Sequence, residues 1–464
     1  MSAVKVRTRR NADSLSGYPP SSHAWYVVGV LVMATVLSYT DRQILSLLVD
    51  PIRHDLSISD TQIGLLIGTA FALVYGVAGL PLGWLADRLR RRDLIVAGIF
   101  LWSCGTVCCG LSHDFPHFFA ARLLVGIGEA VLTPASISMI SDSFPPRNRG
   151  LATSVFLMGM AMGAGGSILF GGLILRLVDS GALSGTFVHG QPSWRVVLVL
   201  LGILGIAPTL FVASLSEPKR QRSDRLSDPD SQPTQPAPIQ PQTEFTLAER
   251  AHHWIRLVPL LLALGTTSLV DNAVLAWTPS LLVRGFAMPA SQVGSILGAL
   301  LMSAGGMGML AGGFLSNRAR LRGYRSGRIA IAVFSAALTA PVTTLIMAGS
   351  IDAVLIGVTM YVFLSCVGAS VGTLTLLDLV PNRTHGLVSA VSFFLNVALG
   401  AGVGPVAVGF AADHLRLAGS GIGLAIFLIA CPGFLVVTGL FYVALRNIPR
   451  GDASRSISHV TSAA

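Results

Sequence analysis

Asp41, Arg42, Arg122 and Glu129 are ionisable residues set inside long apolar stretches. A charge of this kind at the centre of a bilayer costs about 2.5–3.5 kcal/mol on insertion scales. Residues kept at such a cost do one of two kinds of chemistry. They bind and release a proton, or they hold a charged solute. Burial in a weakly polar cavity raises the proton affinity of a carboxyl group, and a neighbouring arginine lowers it. An arginine that moves would therefore switch a proton site. The competing reading is an ion-pair network that only fixes helix packing. Arg122 and Glu129 are seven residues apart, two turns along one helix face. Asp41 and Arg42 are adjacent and point about 100° apart, so one of them faces a central path more squarely. The sequence leaves open which.

The elements that position these charges follow from composition. The chain has 464 residues, of which 52% are hydrophobic and 12% charged. A soluble globular domain carries about twice that charge. The 50 glycines and 24 prolines lie largely within apolar runs, where membrane helices tolerate them. A soluble enzyme, a secreted disulfide scaffold and a coiled coil are excluded, and a polytopic membrane protein is indicated. The five cysteines all lie in apolar runs and read as small buried hydrophobes without metal spacing. No cleavable leader is expected, because the first 23 residues are polar and basic.

Twelve runs are long enough to span. The first six cover 25–48, 61–86, 93–111, 116–140, 150–178 and 194–215. The second six cover 254–283, 291–316, 327–349, 353–377, 386–411 and 421–446. The expected fold is an all-α membrane protein of two pseudo-symmetric six-helix bundles, residues 25–215 and 254–446. Residues 1–24 and 447–464 are tails, and 216–253 is a linker rich in Pro, Gln and Ser, with a short amphipathic helix at Thr246–His253.

Of the 32 Lys and Arg, 25 fall on the side holding both termini and the linker, 5 on the other side and 2 within spans. This places both termini in the cytoplasm, with the chain multi-pass in the cell (inner) membrane. The net charge of +10 lies in short clusters between spans, so no nucleic-acid partner is expected. In this topology Asp41 lies about 10 Å from the outer end of its span, Arg122 at a similar depth and Glu129 about 10 Å deeper. Asp41, Arg42 and Arg122 would then form one layer, with Glu129 beneath it.

Internal repeats support the two halves. Thr61–Gly68 (TQIGLLIG) recurs as Ser291–Gly298 (SQVGSILG), 230 residues on, and the same offset carries Asp41 onto Asp271 and Arg42 onto Asn272. Asp142–Gly150 (DSFPPRNRG) recurs as Asp378–Gly386 (DLVPNRTHG), 236 residues on. At that offset Arg122 and Glu129 meet Val358 and Ser365. Parallel repeats of this kind are related by an axis along the membrane normal, with the solute path between them. The second half lacks the charges of the fourth span, so coupling is expected in the first. Thr373, Thr375, Phe393, Phe394 and Asn396 would supply apolar and hydroxyl contacts, with ordinary packing the favoured reading for all five. His54, His113 and His385 read as solvated loop residues.

The loop Gly83-Trp84-Leu85-Ala86-Asp87-Arg88 resembles the signature loop of the major facilitator superfamily, with Arg90 standing where that family has Gly. Arg122 with Gly126 resembles a second motif, and Glu217 with the following Pro-Lys-Arg resembles a third. The resemblance covers essentially the whole chain. It implies that Gly83, Asp87, Arg88, Asp142, Arg149 and Glu217 form a cytoplasmic gate that latches the halves when the cavity faces outward. The fifth span, with Gly159, Gly163, Gly165, Gly166, Gly171 and Gly172, reads as close helix packing. It lacks the proline of the family's antiporter motif.

Ser38-Tyr39-Thr40-Asp41-Arg42 and Arg122–Ala130 (RLLVGIGEA) are similar to the Spinster-like branch. That resemblance implies Asp41 and Glu129 as a protonatable pair, with Arg42 as their partner and headgroup contact. By residue type Arg122, like Arg42, suits a charge partner or a contact to a phosphate or carboxylate. The function expected is proton-coupled alternating access for an amphipathic anionic lipid such as a lysophospholipid or sphingolipid. A small organic anion or a hydrophobic drug is the alternative, and a transport-inactive sensor a third reading. No enzyme motif, metal site or cofactor is expected; the proton is the coupling ion. The expected partners are membrane lipids and one amphipathic small molecule, and the chain is expected to be a monomer.

Overall fold

The structure is a computed structural model that describes residues 18–180, 191–218, 220, 247–322, 327–380, 385–415 and 421–447. The two tails lie almost wholly outside these residues, as do most of the linker and the repeat loop at 381–384.

Helix α1 runs over Ser21–Gln43 and continues as a 3-10 turn, Ile44–Ser46. A short helix, Val49–Leu56, leads to α2. Helix α2 starts as Asp60–Gly64, passes through a π-helical turn at Leu65–Thr69 and continues as Ala70–Arg88. Its start is set by a capping box, in which Ser59 accepts from the Gln62 N–H and Gln62 answers to the Ser59 N–H. Helix α3 is Arg91–Leu111. Helix α4 is Phe115–Ala130 and continues as Leu132–Ser143, its start capped by Asp114. Helices α5 and α6 are Pro146–Asp179 and Ser193–Ala213.

The second half repeats this order. Helix α7 is Leu247–Phe286, α8 is Ala290–Leu321, α9 is Gly327–Val342 with the 3-10 turn Thr343–Met347, and α10 is Ile351–Leu379. Helix α11 comprises His385–Leu395, a π-helical turn Asn396–Ala401, and Gly402–Leu415. Helix α12 is Gly421–Asn447. The amphipathic helix expected at Thr246–His253 is not separate, because its residues from Leu247 onward are the first turns of α7. Among the described residues, eleven helices are long and apolar enough to cross a membrane, by length and composition. Helix α5, with 34 residues, is the twelfth long helix.

The repeat seen in the sequence is a repeat of packing. Helix α1 packs on α5 as α7 packs on α11. The pairs α2–α4 and α8–α10 correspond, as do α3–α6 and α9–α12. Apolar side chains such as Leu310, Leu210 and Phe334 cover the outside, where a soluble protein would present polar ones. The cysteines are less uniform than expected. Cys109 is buried, whereas Cys108 is exposed on the outer apolar surface.

The halves meet along two seams, α2 with α11 and α5 with α8. Small residues permit the close approach. A Cβ at Gly294 would lie 2.7 Å from the Gly172 Cα and 2.9 Å from the Ile168 carbonyl oxygen. The glycine-rich stretch of α5 thus packs on two sides, with Gly159 and Gly163 against α1 and Gly165 and Gly172 against α8.

Gly294→Ala should cost about 1–3 kcal/mol through overpacking, read as a lower thermal midpoint in detergent. Gly313→Ala adds its methyl to open space and should not lower the midpoint. Equal effects from the two would contradict the seam.

Candidate functional site

Helix α1 carries Ser38 and Arg42 one turn apart on the face toward the molecular centre. The Ser38 hydroxyl donates to Glu129 Oε2 at 2.8 Å, and Arg42 Nη2 donates to the same oxygen at 2.6 Å. The guanidinium lies 4.0 Å from the ring centre of Phe71, 5.0 Å from that of Tyr39 and 5.5 Å from that of Tyr75, a cation–π surround. A cavity of about 60 Å³ opens beside it, lined by Thr35, Thr133 and Tyr75 from the first half and Phe393 and Asn396 from the second. The Glu129 side chain is fully buried, while that of Arg42 keeps 21% of its surface. Arg42 Nε and Glu129 Oε1 make no hydrogen bond among the described residues, so both retain capacity for another partner.

Asp41 points away from this cavity, toward α3 and α4. It accepts from the Thr106 hydroxyl at 2.7 Å, and Arg122 Nη1 lies 3.7 Å from its other oxygen. Arg122 Nε donates to the Leu66 carbonyl oxygen at 3.3 Å. Leu66 lies in the π-helical turn of α2, where the wider winding disturbs the regular backbone ladder. Arg122 and Asp41 keep only 2% and 8% of their side-chain surface. The expected single layer is therefore two pairs. Glu129 does not lie alone beneath the others, because the long Arg42 side chain reaches it. Of the adjacent Asp41 and Arg42, Arg42 is the one that lines the cavity.

The matching positions of the second half are uncharged except one. Asn272 donates to the Ser268 carbonyl oxygen at 2.9 Å and lines a second cavity with Arg42 and Phe71. Asp271 accepts from the Tyr361 and Ser365 hydroxyls. Phe393 and Asn396 line the central cavity, and Phe394 is exposed near Gly76. Thr375 is buried and donates to the Val371 carbonyl, which is packing. Thr373 is exposed. His54 and His113 are exposed, and the His385 side chain lies outside the described residues.

At the end bearing the termini, two of the candidate gate residues, Asp142 and Glu217 of the linker, pair with one residue of the first half. Arg91, which sequence reasoning passed over as one more loop arginine, is the hub. It pairs with Asp142 and, at 2.7 Å, with Glu217, and it donates to Ser138. Arg88 stacks 3.8 Å over the Trp84 ring, Gly83 faces open space, and Arg149 Nε is buried without a hydrogen bond among the described residues. The Asp87 side chain lies outside the described residues.

The opposite end joins the halves. Arg284 of α7 pairs with Asp50 and takes Asp60 in a two-pronged grip at 2.9 Å for each bond. Asp413 of α11 accepts from the Asp60 and Thr61 N–H groups at 3.1 and 2.8 Å and from the Thr61 hydroxyl at 2.6 Å. One half thus caps the first turn of a helix of the other. Among the described residues, every ion pair between the halves lies at this end, so the structure is closed there. These residues escaped sequence reasoning because charges beside a span end look like solvated loop charges.

Asp413→Ala removes the shared cap, worth about 0.5–2 kcal/mol. It should shift the population away from the closed form several-fold. Spin-label distances between the Asp60 end of α2 and the end of α11 would broaden toward longer values. An unchanged distribution would contradict a latching role.

The Major Facilitator Superfamily profile matches residues 31–405. The chain is 27% identical over 434 residues to an MFS-type efflux pump of Mycolicibacterium smegmatis, covering 91% of this chain and 92% of that one. It is 26% identical over 465 residues to the sphingosine-1-phosphate transporter SPNS2 of Danio rerio, covering 94% and 86%. It is 26% identical over 420 residues to the hexuronate transporter of Bacillus subtilis, covering 86% and 92%. In fold it is similar to the crystal structure of a bacterial homologue of the human lysosomal transporter Spinster, with a TM-score of 0.75 and 22% identity over 92% of this chain and 98% of that one. The profile, the twelve helices and the duplicated packing lead to one conclusion: the chain is a multi-pass membrane protein that belongs to the Major Facilitator Superfamily of transporters and resembles its Spinster-like members.

Proposed function

We propose that this transporter moves an amphipathic anion of the lysophospholipid or sphingolipid kind by proton-coupled alternating access. The observation that carries the reading is Arg42. It is held against Glu129 and three aromatic rings, yet keeps a fifth of its surface at a cavity shared by both halves. A guanidinium so placed can take a phosphate or carboxylate through two parallel bonds. A proton on Glu129 would cancel the charge that holds Arg42 and free it for the solute. Asp41 with Arg122 would act as the second proton-and-arginine pair behind it. The second-half wall at Phe393 and Val397 suits an acyl chain.

In this reading the closed end faces outside, both termini are cytoplasmic and the membrane is the cell (inner) membrane. The proton is the coupling ion, no bound cofactor takes part, and the monomer is the working unit. Asp87, Arg88, Asp142, Arg149 and Glu217 would regroup when the end bearing the termini closes. Transport of a small organic anion or a hydrophobic drug is the second reading. It draws support from the polar part of the cavity wall, Thr35, Thr133 and Asn396, and from the similarity to the efflux pump and the hexuronate transporter.

The test is uptake into reconstituted vesicles across a panel of lysophospholipids, sphingosine-1-phosphate, sugar acids and drugs, with and without a pH gradient. Asp41→Asn with Glu129→Gln should abolish accumulation driven by the gradient while exchange at equal pH persists. Unchanged gradient-driven uptake would refute proton coupling at this pair.

Arg42→Ala should weaken binding of the anion about tenfold or more, since a hydrogen bond to a charged group is worth about 1.5–3 kcal/mol. Arg42→Lys should restore only part of it, because an ammonium lacks the planar fork. Binding titration on purified protein checks both. Full rescue by lysine would argue against a two-pronged contact.

A further inference from the structure

Asp271 lies midway along the apolar part of α7, at the position related to Asp41 by the 230-residue repeat. Its partners differ in kind from those of Asp41. The Tyr361 hydroxyl donates to Oδ1 at 2.8 Å. The Ser365 hydroxyl lies 2.7 Å from Oδ1 and 2.9 Å from Oδ2. Both donors come from α10, one turn apart, and Ser365 is the residue that the 236-residue repeat sets against Glu129. Where the first half places charge against charge, the second places a carboxyl group among hydroxyls.

The surroundings of Asp271 offer no cation among the described residues. Helix α10 brings Tyr361 and Cys366 to it, while its own charges, Asp352 and Asp378, stand near its two ends. The other helices packed on α7 carry their charges at helix ends as well: Arg446 in α12, Asp413 and His414 in α11, Arg318 and Arg320 in α8. On α7 itself Arg284 stands in the last turn, bound to Asp50 and Asp60. Glu249, Arg250 and Arg256 belong to its first turns by position. The short helix Val49–Leu56 brings Asp50, Arg53, His54 and Asp55 only to the closed end. Arg42, next to Asn272 at the shared cavity, is engaged by Glu129.

Hydroxyls serve both forms of a carboxyl group. Toward the carboxylate, Tyr361 and Ser365 both donate. When a proton joins Oδ2, that O–H donates to Ser365 Oγ, and Tyr361 continues to donate to Oδ1. A site that satisfies both forms, lies among apolar helices and has no fixed countercharge is suited to take up and release a proton. Asp271 is half-buried rather than sealed. We propose that Asp271, positioned by Tyr361 and Ser365, is a proton-binding site of the second half, separate from the charge pairs of the first. This inference does not depend on what the protein transports.

The test is an infrared pH titration of the purified full-length protein in lipid nanodiscs, with no substrate present. It uses the Asp41→Asn, Glu129→Gln background, which removes the two carboxyl groups of the central charge pairs, and is read as a difference from the same background carrying Asp271→Asn. As the pH falls, a carbonyl stretch should appear in that difference, the one band of a protonated carboxyl group that Asp271→Asn removes. Tyr361→Phe and Ser365→Ala should each leave the band in place but shift its frequency, as loss of one hydrogen bond requires. Titration spectra that are the same with and without Asp271→Asn would overturn the proposal. So would a band whose frequency is the same in both hydroxyl variants as in the parent. Should Asp271→Asn fail to fold, the two hydroxyl variants decide the matter alone. Because the readout is proton binding, failure of the lipid reading leaves it untouched.

Discussion

A charge inside a bilayer must find its partner within the protein, and the first half of this chain is arranged around that constraint. Asp41 and Arg122 seal one another between α1, α3 and α4, with Thr106 and the Leu66 carbonyl completing the shell. Arg42 and Glu129 form a second pair that stays in reach of the cavity. The adjacency of Asp41 and Arg42 on α1 forces this division, since neighbouring helical residues cannot face one place. One helix thus serves a closed pair on one side and an open pair on the other. The π-helical turn of α2 belongs to the same arrangement, because its Leu66 carbonyl accepts from Arg122.

The same need for partners governs the two ends of the molecule. At the closed end Arg284 and Asp413 of the second half engage Asp50, Asp60 and Thr61 of the first. At the end bearing the termini, Arg91 gathers Asp142 of the first half and Glu217 of the linker. A transporter that rocks about a central site has to exchange one such set for another, since neither can be left without partners at low cost. The glycine contacts at Gly172 and Gly294 hold the seam between α5 and α8 close.

Much of this was legible in the residues, and the rest was not for physical reasons. The twelve spans, the duplication and the four buried charges follow from hydropathy and from repeats at two offsets. Helical depth correctly set Asp41 beside Arg122. It did not show that Arg42 meets Glu129, because a rise per residue locates backbones and says nothing of how far an arginine side chain reaches. Asp50, Asp60, Arg284 and Asp413 were invisible because a charge near a span end has the same appearance whether it meets water or the other half. Arg91 was lost among the arginines around it. The cage of Asp271 depends on Tyr361, which no repeat match pointed to. The π-helical turns at Leu65–Thr69 and Asn396–Ala401 left no periodic trace, since each is a single turn inside an apolar run.

The central claim is that Asp41, Arg42, Arg122 and Glu129 form two separate pairs rather than one network. It is tested most directly by double-mutant cycles on thermal stability, using Asp41→Asn, Arg42→Gln, Arg122→Gln and Glu129→Gln alone and in every combination of two. Contacting residues couple by about 0.5–3 kcal/mol, and independent sites add to within about 0.3–0.5 kcal/mol. The account predicts coupling of the first size for Arg42 with Glu129 and for Asp41 with Arg122, and near-additivity for the combinations across pairs. Strong coupling of Asp41 with Arg42 or of Arg122 with Glu129, or additivity within a pair, would contradict it.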